Sequence, residues 1–172
     1  QSVESIGLSY RGEPLLNPHA ADMVRYAKNA GIGWVSFCTN GMLLIPASAE
    51  KLIDAGLDEI TVSAQGGDRE SFERSRLGSN FFMVSRNVEY LLMKRKQMHR
   101  TNPVVRVQAV AVKELDRDCF LSYWRDRSDQ IVCAAEPICN DVLEPADAIN
   151  QTPKVRFANV KTFRKPNTGA CL

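Results

Sequence analysis

Histidine is almost absent: the 172 residues hold only His19 and His99. His19 falls in the first turn of an expected helix, and His99 near a helix C-terminus, where a cation is favoured. That argues against histidine-dependent hydrolase chemistry. Cysteine is present without a ligand pattern. Cys38, Cys119, Cys133, Cys139 and Cys171 form no CxxC, CxxxC or CxxH pair, so no local metal knuckle is visible. Cys38 and Cys133 lie inside apolar strands and read as buried free thiols. Long apolar runs are missing too, and none approaches the roughly 18 residues of a membrane span. Neither sign of charge is in excess. A net charge of +2 is too small to argue for nucleic acid. No signal-peptide pattern opens the chain. The expectation is a soluble, cytoplasmic protein with neither a membrane nor a nucleic-acid partner.

What is present is a βα rhythm, with 44% hydrophobic residues to build a core. Val3 to Leu8 reads as a strand and leads into Arg11-Gly12-Glu13-Pro14-Leu15-Leu16-Asn17-Pro18. There Asn17 is the expected cap and Pro18 the first residue of a helix to Ala30. Met23, Val24, Ala27 and Ala30 recur at helical spacing. Trp34 to Cys38 is a continuously apolar strand, of the kind buried on both faces. It is followed by the turn Thr39-Asn40-Gly41 and a helix from Pro46 to Ala55, stopped by Gly56. Glu59 to Ser63 is a third strand, leading into Gln65-Gly66-Gly67. Asp68 caps a short helix, and Asn80 starts a long one to about Met98. Val104 to Val112 is a fourth strand, in which Arg106 and Gln108 alternate with apolar neighbours, so one face meets something polar. A helix over Arg117 to Arg127 buries Phe120 and Trp124, and Gln130 to Ala134 is a fifth strand. This order predicts a parallel sheet, as a barrel arc or a doubly wound sheet. Three strand-to-helix loops then converge on one site at the carboxyl ends of the strands. From Ala135 onward the periodicity stops, and Glu136 to Pro153 reads as loop.

Four stretches in this order resemble the radical SAM superfamily, whose members cleave S-adenosylmethionine (SAM) at an iron–sulfur cluster. RGEPLLNP is similar to its GGEP motif, with Arg11 where the first glycine usually stands. FCTNGMLL is similar to its TNG turn. ITVSAQGGDRESFERSRLGSNF is similar to its fourth strand and following step, and VVRVQAVAV to its fifth strand. The resemblance covers about residues 3 to 134. It implies an α/β fold: a parallel sheet forming an incomplete (β/α)6, TIM-like barrel. Residues 1–134 would supply the second to sixth strands, with the first βα unit missing. The cluster loop, CxxxCxxC, would lie upstream of Gln1. The cofactors implied are SAM and a [4Fe-4S] cluster, with an external electron donor and a peptide or protein as substrate class. Taken alone, the chain would be inactive on this reading.

The resemblance also implies a cofactor site. Gly12 and Glu13 would hold the ligand's ammonium. Thr39 and Ser63 would meet its carboxylate or ribose, and Arg76 its carboxylate. Gln108 is expected to point into the barrel lumen. Each has a plainer reading: a loop acid for Glu13, and turn formers for Ser63 and Thr39-Asn40-Gly41. Residues 135–172 are read as a linker and the start of a C-terminal extension. In it Cys171 resembles the first cluster cysteine of a SPASM-type extension, with a free thiol as the competing reading. That tail has no acid from Ala148 onward but holds Lys154, Arg156, Lys161, Arg164 and Lys165, a solvated face rather than a phosphate site. Two other function classes stand beside the enzyme. One is a non-catalytic α/β binding module that keeps the fold without the cluster. The other is a TIM-type lyase or phosphate-binding enzyme, for which Lys113 is the available strand-end lysine.

Overall fold

Alternation along the strands decides which way the sheet faces, and it is visible in the computed structural model of the chain. The structure describes residues 3–9, 12–111, 115–135 and 142–143. In strand β2 (Trp34–Thr39), Val35, Phe37 and Thr39 are buried, while Trp34 and Ser36 are half-buried and Cys38 is exposed. The expectation of burial on both faces is therefore corrected, and with it the buried thiol at Cys38; Cys133 is buried as expected. The cause is curvature. Among the described residues, helices cover the convex face, and the concave face turns toward a polar lumen.

The sheet runs β1 (Ser5–Gly7), β2, β3 (Glu59–Ser63), β4 (Val104–Ala111) and β5 (Gln130–Ala135), all parallel and in chain order. A sixth strand, β6 (Val142–Leu143), pairs antiparallel with Ile131 and Val132 of β5. It lies where the sequence reads as loop: two residues are too short to show a period, and β5's free backbone edge supplies the partner. The arc is open, as an incomplete barrel requires. Helices α1 (Ala20–Asn29), α2 (Pro46–Ala55), α4 (Phe81–Gln97) and α5 (Arg117–Trp124) flank it, with the short α3 (Arg69–Ser75) beside the mouth. Val24, Leu52, Ile53, Val84, Val88 and Leu91 pack onto the convex residues of the strands.

Local signals place most helix ends. Gly56 stops α2 with φ 82°. Asp68 caps α3 by accepting from the Ser71 N–H at 2.9 Å, and Asn80 caps α4 through Met83 at 2.8 Å. The first helix departs from expectation. A 3-10 turn over Pro14–Leu16 precedes it, Asn17 accepts from the His19 N–H at 3.0 Å, and α1 begins at Ala20. With prolines at 14 and 18, the chain makes two tight turns before a regular helix can form. Ala20, Val24 and Ala27 are buried on one face of α1, while Met23 and Ala30 face solvent.

The loop after β3 is wedged against α5. A β-carbon added to Gly67 would lie 2.3 Å from the Cys119 carbonyl oxygen and 2.6 Å from Phe120 Cα. Both are backbone atoms on a helix anchored by Phe120 and Trp124, and the Trp124 indole N–H donates to Gly66 O at 3.0 Å. Gly67→Ala is therefore expected to destabilise the chain by about 3 kcal/mol, near the upper end for overpacking. That is roughly 6–12 °C in unfolding midpoint. Urea unfolding by far-UV circular dichroism checks it, and an unchanged midpoint would mean that α5 is free to shift.

Candidate active site

Glu13 is the hinge of the site. It follows Gly12, which sits at φ 83°, and it caps the 3-10 turn. Its Oε1 accepts from the Leu15 N–H at 3.1 Å and from the Thr39 hydroxyl at 2.6 Å; its Oε2 accepts from the Asn40 N–H at 2.7 Å. A carboxylate offers about four lone-pair directions, so one remains open. Thr39 is 2% exposed, and its oxygen also accepts from the Gly41 N–H at 3.1 Å. Its hydroxyl is thus committed to holding Glu13 and the turn. Gly41 has φ 79°, and a β-carbon there would meet Val84 Cγ1 at 2.9 Å, so glycine is required on two counts.

Across the cleft, Arg76 ends α3 and donates from Nη2 to Ser63 Oγ at 2.6 Å. The structure gathers Gly12, Glu13, Thr39, Ser63 and Arg76 into the lining of one open cleft of about 450 Å³. Ser9, Cys38 and Asn40 complete it. Ser9 lies two residues beyond the end of β1 and gives no signal of its own in the sequence, whereas Cys38 reads there as a buried thiol because only the bend of the sheet opens its face. Ser9 Oγ accepts from the Cys38 N–H at 2.9 Å. The Cys38 thiol is exposed, yet the cleft walls strip enough hydration to push it above its usual range. Arg76's charge opposes this and Glu13's reinforces it.

Below the cleft, the concave face is polar. Register aligns Thr61 with Arg106 and Ser63 with Gln108, so Gln108 shares Ser63's face. Arg106 Nη1 meets Glu59 Oε1 at 2.7 Å, and its Nε and Nη2 donate to Gln130 Oε1 at 3.0 and 2.8 Å. Burial pushes the Glu59 carboxyl up, with Arg106 pulling it back. The sequence flagged Arg106 and missed Glu59, which looked like an ordinary strand start. Among the described residues, no group of three or more His, Cys, Asp or Glu is placed to hold a metal ion. Cys171, Cys139, Lys113, Arg11 and nearly all of the 135–172 extension lie outside the described residues.

Residues 5–105 match the sequence model of the Radical SAM superfamily. The GTP 3′,8-cyclase of Chlorobaculum tepidum is 40% identical over 82 residues, 47% of this chain and 24% of that protein. A probable GTP 3′,8-cyclase of Methanococcus maripaludis is 38% identical over 78 residues, 45% of this chain and 26% of that one. The AdoMet-dependent heme synthase of Methanosarcina barkeri is 40% identical over 65 residues, 38% and 18% of the two chains. The chain thus spans about a quarter or less of the length of these relatives. In three dimensions it resembles Streptococcus suis SuiB, solved bound to the precursor peptide SuiA. The TM-score is 0.59 and the identity 16%, over 76% of this chain and 28% of SuiB, a likeness of fold.

Proposed function

The chain belongs to the radical SAM superfamily, whose enzymes use SAM and a [4Fe-4S] cluster, and from that premise we propose that the cleft between Glu13 and Arg76 binds SAM. The observation that carries the reading is the charge arrangement. A carboxylate with one open lone pair faces a guanidinium held by Ser63, as an amino-acid zwitterion requires. In this reading Glu13 and the Gly12 carbonyl receive the ammonium, and Arg76 receives the carboxylate. Ser63, whose hydroxyl proton is free to donate, meets the carboxylate or ribose. Thr39 orients Glu13 instead of touching the ligand. The cluster's thiolates come from outside the described residues. Together with a reduced cluster, SAM supplies hydrogen-abstraction chemistry through its 5′-deoxyadenosyl group. The protein's share is binding, orientation and exclusion of water.

In the intact protein this makes an enzyme that draws on an external electron donor. The substrate class we propose is a peptide or protein, on the strength of SuiB's bound precursor peptide. The relatives named GTP 3′,8-cyclase make a nucleotide the rival. Among the described residues, no helix is long and apolar enough to cross a membrane.

The test is 5′-deoxyadenosine formation by the reduced full-length protein, alongside equilibrium binding of SAM. Binding without turnover would favour the binding module, and absence of binding would remove the reading. Cys38 offers a second check. Because its thiol lines the cleft, saturating SAM is expected to slow its alkylation by iodoacetamide at least about fivefold, read by mass spectrometry at mildly alkaline pH because only the thiolate reacts. Equal labelling with and without SAM would place the ligand elsewhere.

A further inference from the structure

Helix α4 grips the site from behind. Asn87 is buried at 7% exposure, on a face that also carries Phe81, Val84, Val88, Leu91 and Ser85, the last bonded to the Tyr123 hydroxyl. Its Nδ2 donates to Gly41 O at 2.9 Å and to Met42 O at 3.3 Å. On the opposite side of the same turn, the Asn40 N–H donates to Glu13 and the Gly41 N–H to Thr39. The peptide groups of this turn are thus held apart by polarity. The Gly41 and Met42 carbonyls point to α4, the Asn40 N–H points to Glu13, and the Met42 N–H donates to Asn40 Oδ1 at 2.9 Å. Val84, three residues before Asn87, occupies the space that a β-carbon at residue 41 would need.

We propose that Asn87 is a positioning residue for the cofactor cleft, fixing the orientation of the turn whose N–H groups and Thr39 hydroxyl hold the Glu13 carboxylate. A buried amide in an apolar helix face costs free energy unless its hydrogen bonds are used. Leucine would suit the packing and the helix better. What leucine cannot do is bind two consecutive carbonyls: Gly41 O would keep only the longer 3.3 Å bond from the Leu44 N–H, Met42 O would lose this donor, and those peptide planes would turn more freely. Asn87 has no contact with the cleft itself, so its effect passes through Glu13. The consequence for ligand rests on the SAM reading above; the grip on the turn does not.

The experiment compares the full-length wild-type protein, with its cluster in place, with its Asn87→Leu, Asn87→Asp and Asn87→Ser variants. Leucine removes the donor at similar size. Aspartate keeps the shape but turns an acceptor toward two carbonyls, and serine keeps one short donor. Amide hydrogen exchange over residues 39–44 and the SAM dissociation constant, both scaled to the folded fraction, are the two readouts. Asn87→Leu is expected to exchange about tenfold faster at this turn and to bind SAM about tenfold more weakly, the worth of one to two hydrogen bonds. Asn87→Asp should be worse and Asn87→Ser intermediate. Variants that lower the melting temperature yet keep wild-type exchange and affinity per folded molecule would overturn the proposal and leave Asn87 a packing residue. If the wild type itself fails to bind SAM, the cleft assignment falls. The exchange readout then decides Asn87 alone, with unchanged exchange in Asn87→Leu overturning it. Should Asn87→Asp not fold, the leucine and serine variants carry the comparison.

Discussion

Glu13→Ala is expected to weaken SAM binding about a hundredfold. Two losses combine. The open lone pair that receives the ammonium disappears, a charge-assisted contact of about 1.5–3 kcal/mol. The carboxylate that joins the first loop to the second also disappears. It leaves the hydroxyl of Thr39, a residue 2% exposed, and the Asn40 N–H without their acceptor. Glu13→Gln separates the two contributions. Its carbonyl oxygen still accepts one of the loop donors while its charge is gone, so it should retain most of the stability and lose most of the affinity. Isothermal titration with SAM and thermal unfolding, run on both variants, read the two effects. If Glu13→Gln binds SAM as well as the wild type, the carboxylate is a loop staple only, and the ammonium must sit elsewhere.

Arg106→Met should be the most destabilising single change in the lumen, by about 3–5 kcal/mol, because it strands a buried acid. The Glu59 and Arg106 side chains are only 9% and 14% exposed. Glu59's pKa is already pushed above the ordinary carboxylate value by burial, against the pull of Arg106. Removing the guanidinium raises it further. Between the unfolded pKa and this raised folded pKa, the native state binds more protons than the unfolded state, so stability falls as pH rises. The deficit of Arg106→Met against the wild type is therefore small near about pH 5 and large near about pH 8. Urea unfolding at the two pH values checks this. Glu59→Gln added to Arg106→Met should recover most of the loss and flatten the pH dependence. An equal deficit at both pH values would mean that Glu59 is not the stranded charge.

The sequence by itself determined whatever is encoded within about one helical turn. Gly56 ends α2 at φ 82°, and Asp68 and Asn80 bond to backbone N–H groups three residues on. Such signals need no tertiary structure, and the order of elements they mark off sufficed for the βα arc. The matching loops also singled out Gly12, Glu13, Thr39, Ser63 and Arg76. Helical spacing failed where two prolines impose turns, at Asn17 and Pro18, and a two-residue strand at Val142–Leu143 left no period to read.

Only the tertiary structure decided the partners. Glu13 meets Thr39 across 26 positions, Asn87 meets Gly41 across 46, and Arg106 joins Glu59 and Gln130 through sheet register. No local pattern carries those pairings, since they depend on which strands lie side by side and how the sheet bends. Curvature likewise put Cys38 in the cleft: an alternating strand assigns residues to two faces, but only helix packing on the convex side decides which face is left open to ligand.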